Sequence, residues 1–267
     1  MNRLICYAFA LLLPSSAFGA SSGIILQSTT STQNSGLYDA ILPAFEQSSG
    51  VEVKVVAVGT GQAIKNAINC DADVLLVHAK AAEEKFVNDG YGMARFDVMY
   101  NDFVIIGPAE DPAGLLGTET ISEALTKLAE TEYPFASRGD DSGTHKKESS
   151  LWEAAGIDPT IHSGQWYRET GSGMGATLNV AVGMQAYTMS DRATWLAFEN
   201  KGSHRIVYET DPALFNQYGV ILVNPDHCPK ANVTDGQTFI DWLLGEGQAE
   251  IGAYRRSGEQ LFFPNAQ

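Results

Sequence analysis

The stretch Gly23-Ile24-Ile25-Leu26-Gln27-Ser28-Thr29-Thr30-Ser31-Thr32-Gln33 decides how this chain folds: an apolar run of strand length breaks into a polar turn of hydroxyls. Residues 34–47 then carry Leu37, Ile41, Leu42 and Phe45 at helical spacing, and Gly50 stops them. Residues 51–58 read as a second strand, Gly59-Thr60-Gly61 as a tight turn, 62–69 as a helix and 73–77 as a third strand. The result is βαβαβ, with residues 28–33 and 59–61 as its two small polar strand-to-helix turns. Such a turn presents free backbone N–H groups at the positive end of a helix dipole, which suits a small anion.

The pattern recurs further on. Residues 134–136 are strand-like, Ser137-Arg138-Gly139-Asp140-Asp141-Ser142-Gly143-Thr144 is a turn rich in small residues, and 145–155 are helical. This turn adds hydroxyls and an arginine within eight residues. Helices are predicted over 81–89, 121–132, 176–186, 192–200 (with Asp191 as N-cap), 238–244 and 248–254. Residues 94–107, 205–209 and 218–223 read as extended. Strands alternating with helices make the chain α/β. Two such blocks without a linker predict two lobes joined by extended strands.

Residues 1–20 read as a secretory leader: Arg3, an apolar run over 4–13, then Ala17-Phe18-Gly19 as a small-x-small site. No later run approaches the ~18 apolar residues of a spanning helix, so the expected product is soluble and periplasmic. The net charge of −15 argues against nucleic acid or an anionic membrane as partner. It does not exclude a small anion, because distant surface charge is screened beyond about 10 Å. Cys70 and Cys228 lie outside the leader and are either a disulfide or two separate thiols.

No enzyme constellation stands out. The chain lacks a G-x-S-x-G elbow and a G-x-x-x-x-G-K-[ST] loop. His78, His145, His162, His204 and His227 show no metal-ligand spacing. Gly171-Ser172-Gly173-Met174-Gly175-Ala176 is close to a dinucleotide fingerprint, but residues 165–170 before it are not a convincing buried strand. A secreted serine hydrolase using Ser142 or Ser172 is the alternative from a different class, since triads are recognised by geometry. Trp152, Trp166, Trp195 and Trp242 are read as core or lobe-surface residues.

Several segments together resemble the periplasmic tungstate-binding receptors of TupA-type ABC importers. They are Ile24-Ile25-Leu26 with Ser28 to Leu37, Ala72-Asp73-Val74-Leu75-Leu76-Val77-His78-Ala79, and Tyr100-Asn101-Asp102-Phe103-Val104-Ile105 with Gly107-Pro108. The stretch from Ser137 to Glu148 and Ser190-Asp191-Arg192-Ala193-Thr194-Trp195 complete the match, in order along nearly the whole chain. The Arg138-to-Thr144 turn also resembles, more distantly, the anion loop of phosphate receptors.

The resemblance implies an α/β, type II periplasmic-binding fold whose lobes are joined by two crossing strands, over 103–106 and 220–223. Lobe one would be residues 21–102 plus 221–267, and lobe two 103–220. The strand returning beside the third strand would bring Cys70 to Cys228 as a disulfide. Implied partners are tungstate, or molybdate, and a membrane permease, with no nucleic acid and no cofactor; phosphate and sulfate are the other ligands of the same class.

The implied ligand contacts are Thr29, Thr30, Ser31, Thr60 and Gly61 on lobe one, and Arg138, Ser142, Gly143, Thr144 and Ser172 on lobe two. A fully ionised tetrahedral anion needs donors only. Helix capping is the bland reading of Thr29, Thr30, Ser31, Ser142 and Thr144, a plain turn that of Thr60, and a surface ion pair that of Arg138. Asp140 is expected to orient Arg138.

Overall fold

The computed structural model describes residues 23–256 and 258–266; the predicted leader lies outside them. Along the first block run β1 (Gly23–Thr29), α1 (Thr30–Ser35), α2 (Leu37–Ser49), β2 (Glu52–Val58), α3 (Thr60–Ile68), β3 (Val74–Val77) and α4 (Lys80–Asn88). The long β4 (Gly92–Pro108) leads into α5 (Ile121–Thr131), β5 (Phe135–Ser137), α6 (Gly143–Ala154), β6 (Tyr167–Glu169) and α7 (Met174–Met184). After β7 (Tyr187–Asp191), α8 (Arg192–Ala197) and β8 (His204–Tyr208), β9 (Phe215–Val223) returns to the first block, closed by α9 (Val233–Leu244) and α10 (Gly247–Ala253).

Three local readings change. The hydroxyl turn of residues 28–33 is mostly helix: Thr29 caps α1, and Gly36 at φ 83° separates it from α2. That positive φ suits glycine and lets the chain turn between two short helices. Residues 165–170, read as no convincing strand, contain β6, a three-residue edge strand with Arg168 and Glu169 exposed. Its brevity and exposed half hid it. β7, fully buried, was not anticipated because Thr188, Ser190 and Asp191 interrupt its apolar character.

The sheet order is β2-β1-β3-β9-β4-β7-β5-β6. On one side β2, β1 and β3 are parallel and β9 is antiparallel to β3. On the other, β7, β5 and β6 are parallel and β7 is antiparallel to β4. β4 pairs with β9 as far as Asp102 and with β7 from Phe103 onward. Arg192 forks onto both oxygens of Asp102, at 2.7 and 2.6 Å, where β4 changes partner. A bidentate guanidinium–carboxylate pair fixes orientation as well as distance.

Two large apolar clusters sit on either side of that change. One joins Leu26, Phe45, Val74, Val220 and Phe239; the other joins Phe103, Leu128, Phe135, Trp152 and Tyr187. Burying one large apolar side chain contributes about 1.5–3 kcal/mol, so each half carries its own core. All four tryptophans, read from the sequence as core or lobe-surface residues, are buried.

The antiparallel β3–β9 pairing brings the residues before β3 beside those after β9, and Cys70 is bonded to Cys228 with Cα atoms 5.4 Å apart. The bridge spans a sequence separation of 158 residues. Replacing both cysteines with serine is expected to lower unfolding stability by about 2–4 kcal/mol, measured by urea denaturation; an unchanged midpoint contradicts a structural role.

Candidate functional site

In open parallel sheets, ligands sit beyond the carboxyl ends of the strands. Here those ends carry Thr29 at the end of β1, the Gly59-Thr60-Gly61 turn after β2 and Arg138 after β5, as expected from the sequence, together with His78 after β3 and Asp191 at the end of β7, which were not expected there. A second pattern marks the same helices. The first turns of α1, α3, α6, α7 and α8 hold no acidic residue. The first turns of α2, α4, α5, α9 and α10 each hold one. Acids favour helix N-termini, and the chain has 32 of them against 17 lysines and arginines. Their exclusion from one set of helices leaves those dipoles open to an anion.

On the first half, Thr29 Oγ1 accepts from Thr32 N at 3.4 Å and pairs with Thr32 Oγ1 at 2.8 Å, which is its capping role. Thr30 Oγ1 is buried and has no hydrogen-bond partner. Ser31 Oγ lies 3.1 Å from His78 Nε2. Thr60 Oγ1 accepts from Gly143 N at 3.0 Å and Gly61 N donates to the Asp141 carbonyl at 2.9 Å. These two bonds cross from one half to the other, and Thr60 keeps its own proton free to donate.

On the second half, Arg138 is buried; its Nη2 donates to Asp140 Oδ2 at 2.6 Å, the orienting role expected of Asp140. Arg138 Nε and Thr144 Oγ1 are buried without a partner. Ser142 caps α6, accepting from His145 N at 3.1 Å. Glu148 supports the loop from beneath, bonded to Ser137 Oγ at 2.9 Å and to the Tyr167 hydroxyl at 2.7 Å. Burial pushes its carboxyl up to about 7, against the pull of those two hydroxyls.

Ser172 stands apart. Its hydroxyl donates to the Thr170 carbonyl at 3.1 Å, and Gly171 and Gly173 are exposed. The link to the loop is indirect, through Thr170 Oγ1, which lies 3.4 Å from the Arg138 carbonyl. A dinucleotide fingerprint needs its last small residue for close helix–strand packing, but Ala176 is exposed.

His78 belongs to the site and had no spacing signal; its place at the end of a buried strand is the clue that could have found it. Its Nδ1 lies 3.1 Å from Asn216 Oδ1, and its ring stacks on Tyr218. Desolvation lowers its pKa to about 4, with the Arg138 charge acting in the same direction. Ser31, His78 and Asn216 line up like a nucleophile, base and orienter. The base is too weak for that work near neutral pH, and Asn216, an amide, carries no charge to stabilise an imidazolium. Ser31 is only 1% exposed. Ser142 and Ser172 have no histidine ring among their hydrogen-bond partners.

Two carboxylates lie near Arg138. Asp140 accepts from Arg138 and from Ser142 N, and Asp191 accepts from Thr194 N and Thr194 Oγ1. Each of their four oxygens already holds a donor. The remaining partnerless groups on these turns, Thr30 Oγ1, Arg138 Nε and Thr144 Oγ1, are a guanidinium donor and two hydroxyls.

A family model described as a PBP superfamily domain matches residues 14–246. The tungstate-binding protein TupA of Peptoclostridium acidaminophilum is 50% identical over 252 residues, covering 92% of this chain and 87% of that protein. The chain belongs to the TupA family within the PBP superfamily. The solved structure of the tungstate-binding protein TupA of Desulfovibrio alaskensis G20 is 47% identical, covers 92% of this chain and 100% of its own, and has a TM-score of 0.79. That of the tungstate ABC transporter protein from Geobacter sulfurreducens is 47% identical, covers 88% and 100%, and has a TM-score of 0.81. The α/β two-lobe fold of this family is the fold described above.

Two outcomes check this geometry. A Cβ on Gly61 would overlap the Asp141 carboxylate and lie 3.0 Å from its carbonyl oxygen. Gly61→Ala is therefore expected to hold the lobes apart, giving a larger radius of gyration by X-ray scattering with an unfolding midpoint close to wild type. An unchanged radius contradicts the interlobe contact. Because the folded pKa of Glu148 is raised, its stabilisation is complete below about 4.5 and is lost as pH rises through about 7. The melting temperature of Glu148→Gln relative to wild type should therefore rise between pH 5 and pH 8; a flat difference contradicts the buried carboxyl.

Proposed function

We propose that this chain is a periplasmic solute receptor that holds tungstate between its two lobes and delivers it to the membrane permease of an ABC importer. The observation that carries this is the donor set. Arg138 Nε and Thr144 Oγ1 are buried without partners on a turn that bonds to Thr60 and Gly61 across the lobe boundary, and Thr30 Oγ1 is buried without a partner on α1, where the Ser31 carbonyl accepts from Thr194 Oγ1 of the other lobe at 3.5 Å. A buried donor left unpaired costs about 1–3 kcal/mol. An anion without a proton satisfies such donors without needing an acceptor. Each oxygen of Asp140 and Asp191 already accepts one hydrogen bond from a neighbouring group, so neither carboxylate is a dedicated acceptor for a protonated anion such as hydrogen phosphate. Relatives at 40–50% identity that bear the name tungstate-binding protein support the same ligand.

In this reading Thr29, Ser31, Thr60, Gly61, Ser142 and Gly143 shape the cleft and add N–H and O–H groups, and Ser172 stands at its lip. The lobes divide where β4 changes sheet, at Asp102 and Phe103. Ligand bridging both lobes shifts the population toward the closed form. No bond is made or broken, so the protein is a receptor and not an enzyme. Among the described residues no helix is long and apolar enough to cross a membrane. Hydrogen-bond counting leaves two competitors in place: molybdate, with nearly the size and charge of tungstate, and sulfate, a smaller dianion that also carries no proton.

Calorimetric titration of ligand-stripped protein tests the reading. Tungstate is expected to bind one to one, well ahead of phosphate and sulfate, and Arg138→Gln to weaken it at least about tenfold through loss of a charge-assisted bond. Preference for phosphate or sulfate contradicts the ligand, and unchanged affinity in the variant removes Arg138 from the site.

A further inference from the structure

A cavity of about 510 Å³ opens between the lobes on the outer side of His78 and Gly143. Lys80 of α4 lines it from the first lobe, and Lys146 and Lys147 of α6 line it from the second; Asp97 is its one acidic lining residue. The charges are not equivalent. Asp97 is paired with Arg95, and Lys146 with Asp141. Lys80 is exposed and has only Glu84, at 3.9 Å. Lys147 is half-buried and, among the described residues, has no carboxylate within 4.0 Å.

An unpaired, partly desolvated ammonium is costly to keep. Burial lowers the pKa of Lys147, with Asp211 pulling the other way. Nor does helix stability explain it. Lys146 and Lys147 come at the start of α6, where the dipole disfavours cations and where no acid is present. A chain of net charge −15 also repels any dianion approaching at low ionic strength. A local reversal of sign beside the site is what rapid capture requires.

We propose that Lys147, with Lys80 facing the same cavity, forms a cationic vestibule that draws the oxyanion to the cleft and governs its rate of entry, not its final hold. The inference rests on the oxyanion-receptor reading. The vestibule is outside the set of buried donors, so its charge acts during approach and is largely replaced by direct contacts after closure.

Stopped-flow tryptophan fluorescence with tungstate separates the two. In wild type, association is expected to slow as salt rises from about 20 to 200 mM. In Lys147→Gln/Lys80→Gln, association at low salt should fall about fivefold, its salt dependence should flatten, and dissociation should stay within about twofold. Lys54→Gln, a change at an exposed site on β2, should leave all three as in wild type. An association rate in the double variant equal to wild type at low salt overturns the vestibule while leaving the receptor reading intact. A slowed association shared by Lys54→Gln also overturns it, showing only net charge. Absence of tungstate binding by wild type overturns both.

Discussion

Buried hydrogen-bond donors without protein acceptors are the constraint on which the rest of this structure depends. Thr30 Oγ1, Arg138 Nε and Thr144 Oγ1 come from turns on two different lobes. The bonds from Gly143 to Thr60 and from Gly61 to Asp141 mark where the two lobes approach each other. In the proposed function the cost of the unpaired donors opposes closure, and a charged ligand accepting from them reverses the balance. Closure and binding are then one equilibrium.

The fold makes this possible through its strand ends. Parallel strands on each side of the sheet change carry their site residues at their carboxyl ends, and β4 runs from one side to the other, while β9 pairs with β3 and β4 on the first side. Acid-free first turns on the helices that follow keep the local field favourable within a strongly acidic chain. Arg138 is held from one side by Asp140, and its loop is held from below by Glu148, Ser137 and Tyr167. The charged group is positioned before any ligand arrives, which reduces the ordering cost of binding.

Much of this was legible in the sequence. Strand-to-helix turns at 28–33, 59–61 and 137–144 carry their own signature, because each sets several small polar residues between an apolar run and a helical period, more than one N-cap needs. The α/β class follows from alternation alone, whereas the cysteine pairing was implied only by the family resemblance, which placed the returning strand beside the third. Other parts depend on contacts that no local pattern encodes. His78 gains its role from Ser31, Asn216 and Tyr218, none of them close in sequence. β7 hides behind its polar residues, since Asp191 and Thr194 bond to each other instead of to water. Even the first turn was only half read, as its hydroxyls are themselves inside a short helix.

The most direct measurement is the position of the tungsten atom in a crystal grown with tungstate, located by anomalous scattering at its absorption edge. One strong peak enclosed by Thr30, Arg138 and Thr144 is expected, with an oxygen within hydrogen-bond reach of Arg138 Nε. A peak elsewhere, with those three donors still unpaired, would contradict it.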